Sequence, residues 1–161
     1  MNDANVSVVS PHLGEIVWQP ECELYFPTGL PGFEQCHRIV PIEIPSQRPL
    51  VYLQSADNGE VCFLTLPVLA VSPEFILRLS EDDRTLLDLD SAGSADKRSP
   101  EIGTDVLCLA LLVPSGRTVQ TNLDAPIVVN LRNGRSVQTV AADALSSSWR
   151  LSQFAGWETL C

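Results

Sequence analysis

Residues 106–113, Val-Leu-Cys-Leu-Ala-Leu-Leu-Val, decide the fold class. In an extended chain Val106, Cys108, Ala110 and Leu112 point to one side and Leu107, Leu109 and Leu111 to the other, so both faces are apolar and both must be covered. The strand predicted over Asp105 to Leu112 therefore lies in the middle of a sheet, and the core runs through it. Downstream, Asn133-Gly134 stands between Ile127-Val128-Val129 and Val137-Gln138-Thr139-Val140. Asn-Gly tolerates positive φ angles, which predicts a tight hairpin between strands at Pro126 to Asn130 and Ser136 to Val140. Upstream, Asp57-Asn58-Gly59 joins Leu50 to Gln54 and Val61 to Leu66 through a longer loop of open turn type.

Further outward, short β-branched or aromatic runs are repeatedly stopped by proline, glycine and asparagine. They predict strands at Val6 to Val9, Leu13 to Trp18, Glu23 to Phe26, His37 to Pro41 and Thr118 to Asn122. The 12 prolines exclude a helical bundle of this size, because each removes a backbone donor and restricts the residue before it. One short helix is predicted, with Ser80 as N-cap, Glu81, Asp82 and Asp83 beside the exposed amides of the first turn, and Leu86, Leu87 and Leu89 on its apolar side. Asp90 to Pro100 is polar and rich in small residues, which predicts a mobile loop. From Ala141 onward helix and irregular structure remain open, and Trp149, Phe154 and Trp157 either pack over the body or form a recognition surface. The expected architecture is mostly β: a compact antiparallel β-barrel-like fold with one short helix and a variable C-terminal segment, a flatter two-layer α+β arrangement being the alternative. At 161 residues, the chain is expected to form a single domain over 1–161.

The formal charge of -10, with Lys97 as the single lysine, argues against a nucleic-acid binder, whose phosphate contacts need clustered positive charge. No basic amphipathic stretch suggests a membrane surface, and the longest apolar run, Val106 to Val113, is too short to span a bilayer. Cys22, Cys36, Cys62, Cys108 and Cys161 are odd in number and scattered, which suits free thiols in a reducing compartment. With no signal-like pattern in MNDANVSVVSP, the cytoplasm is the expected location. His12 and His37 are the two histidines, and no Cys-x-x-Cys pair occurs, so no zinc site is expected. Cys36 and His37 are neighbours in sequence, but adjacent strand residues point to opposite faces. Glu21 with Glu23, and Asp82 with Asp83, read as solvated acidic surface. Gly29-Leu30-Pro31-Gly32 lacks the lysine and Ser/Thr of a phosphate loop and reads as an ordered turn. No cofactor, metal or catalytic residue is expected, and binding is favoured over turnover: an acidic surface speeds encounter with a basic protein, and a sheet edge or apolar groove can hold a polypeptide segment.

Several stretches together resemble one family. They are Gly14-Glu15-Ile16; Phe26-Pro27-Thr28-Gly29-Leu30-Pro31-Gly32-Phe33-Glu34; Leu53-Gln54-Ser55; Phe63-Leu64-Thr65-Leu66-Pro67; Asn122-Leu123-Asp124-Ala125-Pro126-Ile127-Val128-Val129-Asn130; and Gly134-Arg135-Ser136-Val137-Gln138. In order and spacing, over about residues 13–140, they resemble the flagellar assembly factor FliW. The chain departs from the family pattern at Leu66-Pro67, where an acidic residue commonly precedes the proline, at Gln120-Thr121, and beyond Val140.

The resemblance implies a cytoplasmic, non-catalytic regulator with a compact β-barrel-like fold. It also implies two protein partners, flagellin and CsrA, the small RNA-binding translational regulator. Free of flagellin, such a protein captures CsrA and flagellin translation rises; when flagellin backs up, CsrA is released and translation falls. Candidate interaction or motif residues are Gly29, Leu30, Pro31, Gly32, Phe33, Glu34, Asn122, Pro126 and Asn130. Gly29 and Gly32 are expected to hold the turn and Pro31 to stiffen it, Phe33 to anchor the core or meet a partner, and Asn122 and Asn130 to cap irregular strand ends. The alternative from another class is a small-ligand-binding or enzymatic β-barrel with an internal pocket.

Overall fold

The computed structural model describes residues 5–90, 98–140 and the backbone of 149–150. Within them the chain order is β1 (Val6–Ser10), β2 (Gly14–Trp18), β3 (Leu24–Tyr25), β4 (Arg38–Ile42), β5 (Val51–Ser55), β6 (Cys62–Pro67), α1 (Val68–Val71), α2 (Glu81–Leu87), β7 (Val106–Ser115), β8 (Thr118–Asn130), β9 (Ser136–Gln138) and β10 (Trp149–Arg150). β3 to β8 pair antiparallel in chain order, while β9 and β10 share the far edge of β8. A parallel bridge between Tyr25 and Arg135, in which the Tyr25 N–H donates to the Gly134 carbonyl at 3.0 Å, brings β3 at one edge of the sheet round to the β8–β9 hairpin. The sheet is thereby nearly closed into a barrel. β1 and β2 form a separate ribbon packed on the 55–61 turn, so closely that a Cβ on Gly59 would lie 2.1 Å from the Val9 carbonyl oxygen. The Gln54 side-chain amide organises that turn from within, donating among the carbonyls of Ser55, Asn58, Gly59 and Val61 at 3.1–3.3 Å.

The two-faced strand is central, as its pattern demands. Leu109, with Ile39, Val51, Leu53, Ile127 and Val129, fills the barrel interior, closed off by Phe26 and Leu30. Val106, Cys108 and Ala110, on the other face, pack with Leu123, Val128 and Val137 against Val68, Leu77 and Leu87 from the helical side. α2 starts where its acidic cap predicts: the Ser80 hydroxyl accepts from the Asp83 N–H at 3.0 Å. It stops at Asp88, whose φ of 56° takes the chain out of the helix. Leu87 is fully buried, and Leu86 and Leu89 pack partly buried beside it.

Three expectations are corrected. Thr118 to Asn122 and Pro126 to Asn130 are one strand, Thr118–Asn130, because Pro126 sits at a bulge where no ladder bond is required of it. The hairpin to Ser136 exists, but its turn spans residues 131–134 and only Gly134 has positive φ (75°). The Gly134 N–H reaches back to the Asn130 carbonyl at 2.8 Å, and the Asn133 carboxamide oxygen accepts from the Arg135 N–H, which makes the turn wider than a two-residue loop. A second helix, the single turn α1, follows Pro67, where the Val-Leu-Ala-Val run lacks the length to announce itself. Most of the loop expected over Asp90 to Pro100, and everything expected beyond Val140 except the β10 backbone, lies outside the described residues.

Candidate functional site

The Gly29–Glu34 loop is built to hold one shape. Leu30 and Phe33 bridge each other, the Phe33 N–H donating to the Leu30 carbonyl at 2.7 Å and the Leu30 N–H to the Phe33 carbonyl at 3.4 Å. Gly29 (φ 68°) and Gly32 (φ 83°) supply the backbone angles that reverse the chain, and a Cβ on Gly29 would stand 2.6 Å from the Glu34 Cα, so that position admits only glycine without displacement of the backbone. The Glu34 carboxylate accepts from the Gly32 N–H at 2.9 Å, and this bond, with one from its own N–H, holds its carboxyl below the usual carboxylate range. Leu30 plunges into the barrel while Pro31, Gly32, Phe33 and Glu34 face solvent. Phe33 is 41% exposed, and its ring meets Phe63 edge to face at 5.0 Å.

The second motif makes the bulge. β7 spends one residue, Ala110, between the rungs Leu109↔Ile127 and Leu111↔Asn122, whereas β8 spends residues 123–126. Asn122 caps this excursion, its carboxamide oxygen accepting from the N–H groups of Asp124 and Ala125, both at 3.2 Å. Leu123 turns into the outer core, Pro126 is buried, and the Ala125 carbonyl accepts from the Gln138 side chain at 3.1 Å. Asn130 is buried at the far end: its Nδ2 donates to the Leu87 carbonyl and its Oδ1 accepts from the Arg132 N–H, both at 2.9 Å, tying α2 to the hairpin turn.

Beyond the bulge the β7–β8 hairpin leaves the body as an arm, and residues 113–118 are all exposed. β6 follows β7 only through the rungs Thr65↔Leu111, Leu66↔Ala110 and Pro67↔Leu109, so the strands part after Leu111. At this mouth of the barrel Phe63 and Leu111 pack against the interior cluster, Phe33 stands edge to face on Phe63, and Val113, two residues beyond Leu111 on its strand, is 46% exposed. Leu111 and Val113 belong to the central strand and Phe63 to a motif stretch, but how β6 and β7 sit beside one another depends on a register between distant strands.

No other grouping of reactive side chains competes with this surface among the described residues. Cys36 is buried, and His37 turns its Nδ1 to the Phe26 carbonyl at 2.8 Å, so the two do not form a dyad. Cys22, Cys36, Cys62 and Cys108 are free thiols, and burial pushes the Cys108 thiol up to about 12. No three metal-binding side chains converge among the described residues, and no helix there is long and apolar enough to cross a membrane. An outer cleft of about 450 Å³ is lined by Arg84, Arg98, Asp90 and Asp105, but these charges pair with one another, Arg84 with Asp90 at 2.7 Å and Arg98 with Asp105 at 3.5 Å.

A family model described as FliW protein matches residues 7–152, taking in the loop, the bulge and the arm. The chain belongs to the FliW family. Among named relatives, the flagellar assembly factor FliW of Syntrophomonas wolfei is 29% identical over 140 residues, covering 86% of this chain and 83% of its own. That of Treponema pallidum is 34% identical over 112 residues (68% and 67%), and that of an Azoarcus species 31% over 143 residues (84% and 90%). A crystal structure of a flagellar assembly factor FliW superposes with a TM-score of 0.74 at 20% identity, covering 90% of this chain and 96% of that one, so the fold is shared. In this FliW-family chain the two motifs are thus a hydrogen-bonded loop with two positive-φ glycines and a capped bulge in the longest strand.

Proposed function

We propose that this protein is a flagellar assembly factor acting stoichiometrically in the cytoplasm: it binds flagellin and the translational regulator CsrA, and restrains CsrA when free of flagellin. The observation that carries the reading is family membership over residues 7–152. Two features support it. The net charge of -10 favours encounter with a basic RNA-binding regulator and disfavours direct binding of nucleic acid. The Gly29–Glu34 loop, bounded by glycines that fix its shape, presents Phe33 and Glu34 beside an apolar mouth, a preorganised surface of the kind a polypeptide partner uses. Alternation between partners requires that the two complexes exclude or weaken one another.

Calorimetric titration with cognate CsrA, repeated after saturation with cognate flagellin, tests the reading. Binding is expected in the first titration and loss or weakening in the second; absence of binding to either protein overturns the assignment. Association with CsrA should also slow as salt rises, and a salt-independent rate would remove the steering role of the acidic surface.

A further inference from the structure

The far edge of the β1–β2 ribbon is open. A strand carbonyl points either at its ladder partner or directly away from it, and the Val9 carbonyl points at Gly59, on the side of β1 remote from β2. Val9↔Glu15 and Ser7↔Val17 are therefore the rungs that exchange no hydrogen bonds within the ribbon. Glu15 and Val17 must turn their N–H and C=O groups outward from β2, where no described residue bonds them. The side chains of both are exposed. Other strand edges are guarded: β1 lies on the 55–61 turn, β3 is two residues long and bridged to Arg135, and the arm of β7 carries Pro114, which lacks an N–H. β2, Gly-Glu-Ile-Val-Trp, has no proline, lysine or bulge.

The chemistry of this edge selects its occupant. Ser7, Val9, Glu15 and Val17 share the outward face of the ribbon, where Val9 (71% exposed) and Val17 (56%) are diagonal neighbours and Glu15 stands opposite Val9. Residues 5–37 contain Glu15, Glu21, Glu23 and Glu34 and no lysine or arginine, and the first cation, Arg38, is taken up by Glu23 and Asp57. Glu15 has no ion pair among the described residues. A second copy of a chain charged -10 would be repelled from such an edge, whereas a basic segment is drawn to it. We propose that the β2 edge takes up an extended, basic polypeptide segment of a partner protein as an added strand, hydrogen-bonded to the backbone of Glu15 and Val17. A lysine or arginine of that segment lies beside Glu15, and an apolar side chain lies beside the half-buried Ile16. The inference stands on the ribbon alone and does not depend on the outcome of the flagellin and CsrA titrations.

Amide hydrogen exchange of the full chain, resolved by residue and read with and without the peptide acetyl-Lys-Val-Lys-Val-Lys-Val-Lys-amide, tests the edge directly. With roughly nine-tenths of the protein occupied, exchange at the Glu15 and Val17 amides should slow about tenfold, because only the free fraction exchanges. The same peptide with its internal lysine nitrogens methylated on the backbone keeps the charge and loses the strand bonds; it should give no protection, as should a glutamate-for-lysine version. Val17→Pro deletes an outward N–H while leaving the β1 ladder its bonds, and should weaken peptide binding about tenfold with unchanged far-ultraviolet circular dichroism. Glu15→Lys, at an exposed position, should weaken it severalfold and keeps the test decisive if the proline variant loses the ribbon. Absence of protection at Glu15 and Val17, or equal protection by the methylated peptide, overturns the added strand. Protection of the same amides that rises with protein concentration in the absence of peptide overturns the basic partner, because it marks a second copy as the occupant.

Discussion

The β7–β8 hairpin passes through two environments, and the bulge at residues 123–126 is the border between them. On the near side Val106 to Ala110 and Ile127 to Asn130 are covered on both faces, by the barrel interior and by the α1–α2 layer. On the far side the same two strands carry on their ladder, Leu111↔Asn122 to Ser115↔Thr118, with residues 113–118 in solvent. Hydrogen bonding is alike in the two halves; burial is not. The near half supplies stability, and the far half is held in place by it while leaving apolar side chains such as Val113 uncovered.

The difference can be broken most directly from the buried half. Ile127→Ala removes a fully buried side chain from the barrel interior and should cost about 3–4 kcal/mol. Val113→Ala on the arm should cost less than about 0.5 kcal/mol. Denaturant unfolding of both variants measures the contrast, and similar losses would mean that the arm is as cooperative a part of the fold as the core.

Gly29→Ala probes the loop at the mouth. The added Cβ meets the Glu34 backbone at 2.6 Å, and the φ of 68° is itself unfavourable for alanine. A loss of roughly 2–3 kcal/mol is expected, together with a change in the near-ultraviolet signal of the aromatic pair at Phe33. Gly32→Ala, with a similar φ of 83° but open space around it, should cost less, about 1 kcal/mol. Equal costs would show that close approach to Glu34 contributes nothing.

Asn122→Ala acts on the border itself. It strips the caps from the Asp124 and Ala125 amides and should cost about 1 kcal/mol, with faster amide exchange confined to the bulge and arm. Uniform acceleration across β7, near half included, would deny that the bulge separates two regimes.

These same places show what the sequence makes legible. The near half declares itself, because apolar residues on both strand faces leave a central strand as the economical reading, and Ser80 followed by three acidic residues marks the start of α2. The bulge does not: Asn122-Leu123-Asp124-Ala125-Pro126 reads as a break between two strands, since nothing local reveals that β7 continues alongside. Barrel closure through Tyr25 and Arg135 joins residues 110 positions apart, and the mouth depends on where β6 stops following β7. Phe33 is legible as a candidate because it follows two loop glycines, whereas the contact of Phe63, in another motif stretch, with that loop is announced by no local pattern. Long-range register is a property of the assembled sheet, and local periodicity carries little of it.

The β1–β2 ribbon sharpens the contrast, because it is a second exposed hairpin that, unlike the arm, is tied down by charge. Trp18 Nε1 donates to Glu23 Oε1 at 2.8 Å, and the Arg38 guanidinium grips both Glu23 oxygens at 2.7 and 2.9 Å while reaching Asp57 at 3.3 Å. The Arg38 hydrogen bonds, helped by Trp18 and opposed by burial, hold the Glu23 carboxyl below its ordinary value. A carboxyl lowered in the folded state binds fewer protons there than in the unfolded chain. Its contribution to stability is therefore complete above the unfolded carboxylate value of about 4.3 and is lost as pH falls through the lower folded value. Glu23→Gln should cost roughly 0.5–1 kcal/mol at neutral pH and flatten the acid limb of the stability profile. With Trp149 and Trp157 replaced by phenylalanine, Trp18 fluorescence gives the local reading: with Glu23 in place its environment should change in that acid window before global unfolding, and in Glu23→Gln it should already be altered at neutral pH. A Trp18 signal that moves only with global unfolding in both proteins would mean that the ribbon is held by Gly59 packing against β1 and not by the ion pair.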